Sequence, residues 1–243
     1  MLKKALPSPG GAFDIKKIKE ATSMAKKKIY LSPSNQNANI YAYGNTNEME
    51  QCNRIADYAK TALERCGFSV KKAPKGQDMY KTIAESDNWG ADLHIPIHTN
   101  AANGKTTGGT LVMLFSNTKA NNKAGNAILS AVAPLSPGKD YALWYRPGLA
   151  ELNSTKAIAT YLEVEFHDTK EGAKWIINNA QAIGEAIAKG VCNYYGKKYK
   201  APTEENSSKV YRVQVGAYSS KANAEAMLKK VKAAGFKDAI IAS

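Results

Sequence analysis

The sequence predicts an α/β fold: a single, largely parallel, twisted sheet flanked by helices, followed by a small β-α-β segment at the C-terminus. Three observations predict it. From Lys27 onward, short strand-like runs alternate with segments of helical periodicity. Glycines such as Gly67 and Gly90 close the helical segments before the next strand. Polar and titratable residues gather at the carboxyl ends of the strands, where open parallel sheets carry their sites.

Residues 1–26 show no sustained periodicity and contain the breaker cluster "PSPGG", so they read as a leader or extension outside the fold. "KIYLS" is the first strand, and a polar loop follows it. Met49, Cys52, Ile55, Ala56, Ala59, Ala62 and Leu63 then recur at helical spacing up to Gly67. "FSVKKA" is the second strand, and "TIAESDNWG" a short helix ending at Gly90. "ADLHIPIHTNA" and "GGTLVMLFS" are the third and fourth strands. "TKANNKAGNAILSAVAPL" is helical, "TYLEVEFHD" is a further strand, and "KEGAKWIINNAQAIGEAIAKGVCNYY" is a long closing helix. The main domain therefore spans residues 27–195. Residues 196–209, polar and lacking apolar periodicity, read as a linker. Residues 210–243 read as strand, helix and strand, a unit too small for a thick core.

Composition narrows the classes of function. No apolar run approaches the roughly 20 residues needed to cross a bilayer, which argues against membrane insertion. The N-terminal stretch lacks the apolar core of a signal peptide, so the expectation is synthesis in the cytoplasm without one. Cys52, Cys66 and Cys192 form no CxxC pair and are odd in number, which fits buried free thiols. The formal net charge of +13 favours a polyanionic partner. Nucleic acid and anionic wall polymers both qualify by charge. No aromatic residues interleave with the basic runs and no binding motif is present, which argues against nucleic acid.

His94, His98 and His167 are the only histidines, and each lies toward the end of a predicted strand. Alternation puts His94 and His98 on one face of the third strand, and Glu163, Glu165 and His167 on one face of the later strand. Glu48 stands at the mouth of the first helix, where the helix dipole favours a negative charge. Imidazole together with carboxylates is the donor chemistry of zinc. Three protein ligands and an open water position make a hydrolytic site, and a further carboxylate can carry the proton.

Three separated motifs in order then give a resemblance. "GNTNEMEQCNRIADYAKTALERCGFSV", "ADLHIPIHTNA" and "ATYLEVEFHDTKEG" make residues 27–195 similar to the zinc-dependent N-acetylmuramoyl-L-alanine amidases of the third amidase family, found among sporulation hydrolases and phage endolysins. The resemblance implies Zn2+ as cofactor, Glu48 and His98 as metal ligands, and Glu163 as the catalytic proton carrier. It implies bacterial peptidoglycan as partner and action at the cell wall, as autolysin or endolysin.

The family's first motif, "DPGHGG", supplies a further histidine ligand; here the equivalent stretch is "LSPSNQNA", with Asn35 near the histidine's place. A neutral amide is a weaker zinc ligand than imidazole. His167 is the candidate third ligand, although it lies about 13 Å beyond Glu163 along an extended strand, so the chain must bend near Phe166. His94 is expected to point into packing. Ser34, Asn35, Gln36 and Asn100 are expected to line the substrate site. The missing histidine also supports an alternative, a catalytically impaired peptidoglycan-binding protein that keeps the fold. "YRVQVGAYSSKANAEAMLKKVKAAGF" resembles the first half of a sporulation-related (SPOR-like) wall-binding repeat.

Overall fold

A computed structural model describes residues 26–104, 108–202, 214–236 and 238–241. Residues 1–25 of the expected leader, the second half of the expected linker, 203–209, and the start of the expected first tail strand, 210–213, lie outside the described residues. The sheet is built on β1 (Lys28–Pro33), β2 (Ser69–Lys72), β3 (Leu93–Asn100), β4 (Leu111–Leu114), β5 (Ala142–Tyr145), β6 (Ile158–Ala159) and β7 (Tyr161–Phe166). Its order is β2-β1-β3-β7-β4-β5, with β6 paired to the start of β3. Only β4 and β7 pair antiparallel; the other neighbours are parallel. β1 and β3 are central and buried on both faces, as parallel strands covered on both sides must be.

The helices are α1 (Glu48–Arg65), α2 (Met79–Trp89), α3 (Lys119–Val132), the single turn α4 (Ala150–Asn153), α5 (Lys170–Tyr195) and, in the tail, α6 (Lys221–Ala233). Side chains start them: Asn47 accepts from Glu50 N, Asp78 from Lys81 N, Thr118 from Asn121 N and Thr169 from Gly172 N. Gly90 and Gly196 end α2 and α5 in the left-handed conformation that glycine adopts without steric cost.

The two faces of the sheet differ in chemistry. Ile29, Leu31, Leu93, Ile95 and Ile97 point to one face and join the apolar sides of α1, α3 and α5 in the main core. Alternation turns Tyr30, Ser32, His94 and His98 to the other face. There α2 covers the lower part: Glu85 accepts from Tyr30 Oη at 3.0 Å, and Ser86 Oγ lies 2.9 Å from His94 Nδ1. The upper part, at the carboxyl ends of the strands, is left to loops and α4.

Chain segments divide into one unit up to Ala201 and a second from Pro202. The first part of the expected linker belongs to the first unit. Tyr199 packs on the core and donates to Glu185, while Lys200 O accepts from Arg65 Nε at 2.9 Å. The aromatic ring at 199 gives that segment apolar surface to bury. In the second unit the expected helix forms as α6, and none of its residues is buried. The described residues on either side of it carry no strand. A strand needs a partner for its backbone groups, and among the described residues of this unit there is none.

The contact that sets the spacing of α1 and α5 is made at Gly184. A Cβ there would lie 2.6 Å from Tyr58 Cβ, 2.7 Å from Ala59 N and 3.0 Å from Ile55 O, so the close approach requires glycine. Gly184→Val forces the two helices apart and is expected to destabilise the protein by about 2–3 kcal/mol, the upper part of the usual overpacking range. Urea unfolding followed by circular dichroism measures it.

Candidate active site

The loop after β1 turns tightly. Ser34 N bonds to Ile97 O at 2.9 Å, and Ser34 Oγ accepts from Gln36 N at 3.2 Å. This hydroxyl-stabilised turn aims Asn35 outward, where Nδ2 donates to Gln77 O. It also brings the Gln36 amide inward, with Nε2 3.3 Å from His98 Nδ1. Asn39, further along the loop, donates to Gln36 Oε1 at 2.8 Å and to Glu48 Oε2 at 2.6 Å.

Glu48, the first residue of α1, is 1% exposed. Its Oε1 lies 2.8 Å from His98 Nδ1. Burial acts to raise its pKa, but the bond to and charge of His98, with Asn39 and Ser34, hold it below its ordinary value. His98 is packed face to face with Tyr161, ring centroids 4.4 Å apart. Burial works against its charge, but Glu151 and Glu48, bonded to it, and the charge of Glu163 outweigh that and raise its pKa to about 9.

Glu163 is the register partner of His98 across the β3–β7 pair, so the two side chains share a face. Its Oε2 is buried without a hydrogen-bond partner. Burial chiefly, against the charge of His98 and with that of Glu48, raises its pKa to about 7. A carboxyl group held near neutrality, with one oxygen unengaged, is suited to take up and return a proton.

The structure brings Glu48, His98, Glu163 and Gln36 together, and it places His167 elsewhere. Between His98 and Asn100 of β3, the facing strand runs from Glu163 to Phe166, one residue longer. Such a bulge shifts the alternation. His167 therefore emerges on the side of Thr99, with Nδ1 2.9 Å from Thr99 Oγ1 and 3.0 Å from Thr99 O, its ring stacked on Tyr41. Glu165 is tied to Ser136 Oγ and to the Gly109 and Gly138 amides, which fix the loops beside β4. Asn100 Oδ1 accepts from Ala101 N at 2.8 Å and shapes its own loop. Ser34 is 2% exposed, so its role in the turn is what the structure shows.

Glu151, on α4, is the site residue that sequence reasoning missed. Its carboxylate accepts from Ser32 Oγ, lies 3.2 Å from His94 Nε2 by Oε1, and lies 3.6 Å from His98 Nε2 by Oε2. Burial opposes its charge, but the bonds to His94 and His98 bring its pKa down to about 2. A one-turn helix leaves no periodicity to read. The available signal was a fully buried histidine, His94, that needed a charged or polar partner. A cleft of about 320 Å³ opens over these groups, walled by the Ser32–Gln36 turn on one side and by Leu149–Glu151 and Tyr161 on the other.

Ionised Glu163 is a buried charge with one oxygen unpaired. Its folded pKa is raised, so its contribution is most favourable below the ordinary value of 4.5 and is lost as pH rises through about 7. With chelator present, Glu163→Gln is expected to match the parent's stability at about pH 4 and exceed it by about 1–3 kcal/mol at about pH 8. Paired urea melts at the two pH values test this sign.

Two families match the chain, and their matches overlap on α5. The N-acetylmuramoyl-L-alanine amidase family matches residues 33–193, and the SPOR domain family matches residues 170–242, beginning on α5. The sporulation-specific N-acetylmuramoyl-L-alanine amidase of Bacillus subtilis (strain 168) is 26% identical over 88% of this chain and 84% of its own. Among solved structures, the catalytic domain of the amidase CwlV from Bacillus (Paenibacillus) polymyxa var. colistinus superposes with a TM-score of 0.63 at 16% identity, over 71% of this chain and 99% of that one. An N-acetylmuramoyl-L-alanine amidase of Clostridium difficile 630 gives 0.64 at 19%, over 71% and 98%. With about two thirds of its length matched by the family, and with the glutamates of the first and third motifs set beside the histidine of the second, the chain belongs to the N-acetylmuramoyl-L-alanine amidases and carries a C-terminal SPOR match.

Proposed function

We propose that the protein hydrolyses the amide between N-acetylmuramic acid and L-alanine in bacterial peptidoglycan, with Zn2+ as its resident metal. The observation that carries the reading is the convergence of Glu48 and His98 Nδ1 beside Glu163 with its unpaired buried oxygen.

Those donors fit zinc. His98 Nδ1 and Glu48 Oε1 are 2.8 Å apart, within about half an ångström of the edge of a tetrahedral site with Zn–N and Zn–O bonds of about 2.0–2.1 Å. Among the described residues, no three His, Cys, Asp or Glu side chains are grouped to hold a metal ion. The third donor is therefore assigned to Gln36, whose amide reaches the same imidazole nitrogen. Only the amide oxygen can serve as a metal donor, so Gln36 would have to turn its end group by a half-turn and give up the bond that its Oε1 accepts from Asn39. His167, held by Thr99 on the other side of β3, is not used. When bound, zinc polarises the scissile carbonyl and lowers the pKa of a water in its open position.

The chain's own groups do the rest. The Ser32–Gln36 turn and Tyr161 wall the cleft in which the amide lies. Asn39 fixes one oxygen of Glu48, leaving the other for His98. Glu163 takes the proton of the attacking water on its free oxygen and returns it to the leaving amine, so proton uptake and release balance on one carboxylate. The excess of basic residues would favour retention on anionic wall polymers, and the SPOR match supports attachment to peptidoglycan.

Incubation with purified peptidoglycan is expected to release new L-alanine amino termini, and chelation to stop the release. Glu163→Gln is expected to lower the rate by about 10²–10⁴ while zinc stays bound. Absence of new amino termini from zinc-loaded parent protein would favour the impaired wall-binding alternative. For the metal, competition with a chromophoric chelator is expected to show about tenfold weaker zinc binding in Gln36→Ala and unchanged binding in His167→Ala. The reverse pattern returns the third position to His167.

A further inference from the structure

A chain of buried polar groups runs up the α2-covered face of the sheet and ends at the active-site imidazole. Ser86 Oγ faces His94 Nδ1 at 2.9 Å; His94 Nε2 faces Glu151 Oε1 at 3.2 Å; and Glu151 Oε2 faces His98 Nε2 at 3.6 Å. Ser32 Oγ donates to the same Oε1. One carboxylate oxygen is thus held by two donors, and the other is left toward His98. Glu151 is 5% exposed and His94 is fully buried, so this arrangement is part of the packed interior rather than a mobile surface contact.

We propose that Glu151 is a positioning residue for His98: in the metal-bearing protein its carboxylate accepts from Nε2–H, holds the neutral tautomer, and so leaves the Nδ1 lone pair for the metal on the side of Glu48 and Gln36. The inference rests on the reading above that His98 serves a metal. Its logic is geometric. The two nitrogens of an imidazole point to opposite sides of the ring. Glu48 and Gln36 stand at Nδ1, and Glu151 stands at Nε2. Glu151 therefore cannot complete a metal site formed on Nδ1, and it is placed where a ligating histidine needs an acceptor for its second N–H. Tyr161, stacked on the ring, closes the remaining freedom of rotation. His94 and Ser32 act one step further out, by holding the carboxylate that holds His98.

The full chain tests this. In zinc-loaded protein with ¹⁵N-labelled histidine, His98, identified by its loss in His98→Ala, is expected to show the Nε2–H tautomer. Glu151→Gln is expected to weaken zinc binding about tenfold, read by chelator competition, and to give His98 a mixed tautomer signal. Glu151→Asp is expected to recover part of the affinity. A merely structural role would lower the melting temperature without changing the tautomer. Zinc on Nε2 of His98 in the parent protein overturns the proposal, and that measurement stands even where the Gln variant does not fold. Unchanged zinc affinity and tautomer in folded Glu151→Gln also overturn it. Loss of zinc in His98→Ala alongside that result confines the failure to Glu151. A parent that binds no zinc, or His98→Ala that binds it as tightly, overturns the metal reading and this proposal together.

Discussion

A buried imidazole set between buried carboxylates is the interaction on which the architecture of the cleft depends. His98 faces Glu48 at one nitrogen and Glu151 at the other, and Glu163 lies beside it in register. Charges in a poorly solvated interior are tolerated only when paired and hydrogen-bonded. Each of these groups therefore constrains the elements that carry the others. Glu48 ties the start of α1 to the end of β3, and Glu151 ties α4 to the same strand. Asn39 donates to the second oxygen of Glu48 and to Gln36 Oε1, and so fixes the course of a long polar loop. The cluster is held by its own opposite charges.

The bulge at the end of β7 decides which residues can join that cluster. Strand alternation alone would align Glu163, Glu165 and His167. One extra residue opposite the span from His98 to Asn100 breaks the alignment. Glu163 stays beside His98, Glu165 is turned to the Gly109, Ser136 and Gly138 loops, and His167 is passed to Thr99 and Tyr41. Three residues with similar sequence credentials thus receive three places: beside His98, at the loop clamp and against the wall of the core.

The amide loop after β1 carries no histidine where the family resemblance expects one. Asn35, which stands nearest the absent histidine in sequence, is directed at Gln77 O on the outside. Its neighbour Gln36 reaches the imidazole instead. The turn made by Ser34 is responsible, because its hydroxyl holds Gln36 N and its own N–H is paired to β3. On the proposed metal reading, a neutral amide in place of an imidazole would hold zinc more softly, which would give the orientation of His98 greater weight.

Much of this was legible in the residues themselves. Alternating strand and helix patterns defined the α/β sheet, helical periodicity located α1, α2 and α5 with Gly67 and Gly90 marking the ends of the first two, and the three motifs singled out Glu48, His98 and Glu163. These signals are local: they depend on periodicity, on capping, and on short runs of residue types. The tertiary structure decided what depends on packing and register. Glu151 sits on a single helical turn, with no periodicity to reveal it, and becomes a site residue only because α4 folds over β3. The antiparallel pairing of β4 with β7 follows from sheet closure between distant segments. His167 left the site through a one-residue bulge, a register event that no property of the isolated strand encodes. Gln36 entered it through a turn whose direction is set by the hydrogen bond between Ser34 and Ile97, on a neighbouring strand more than sixty residues away.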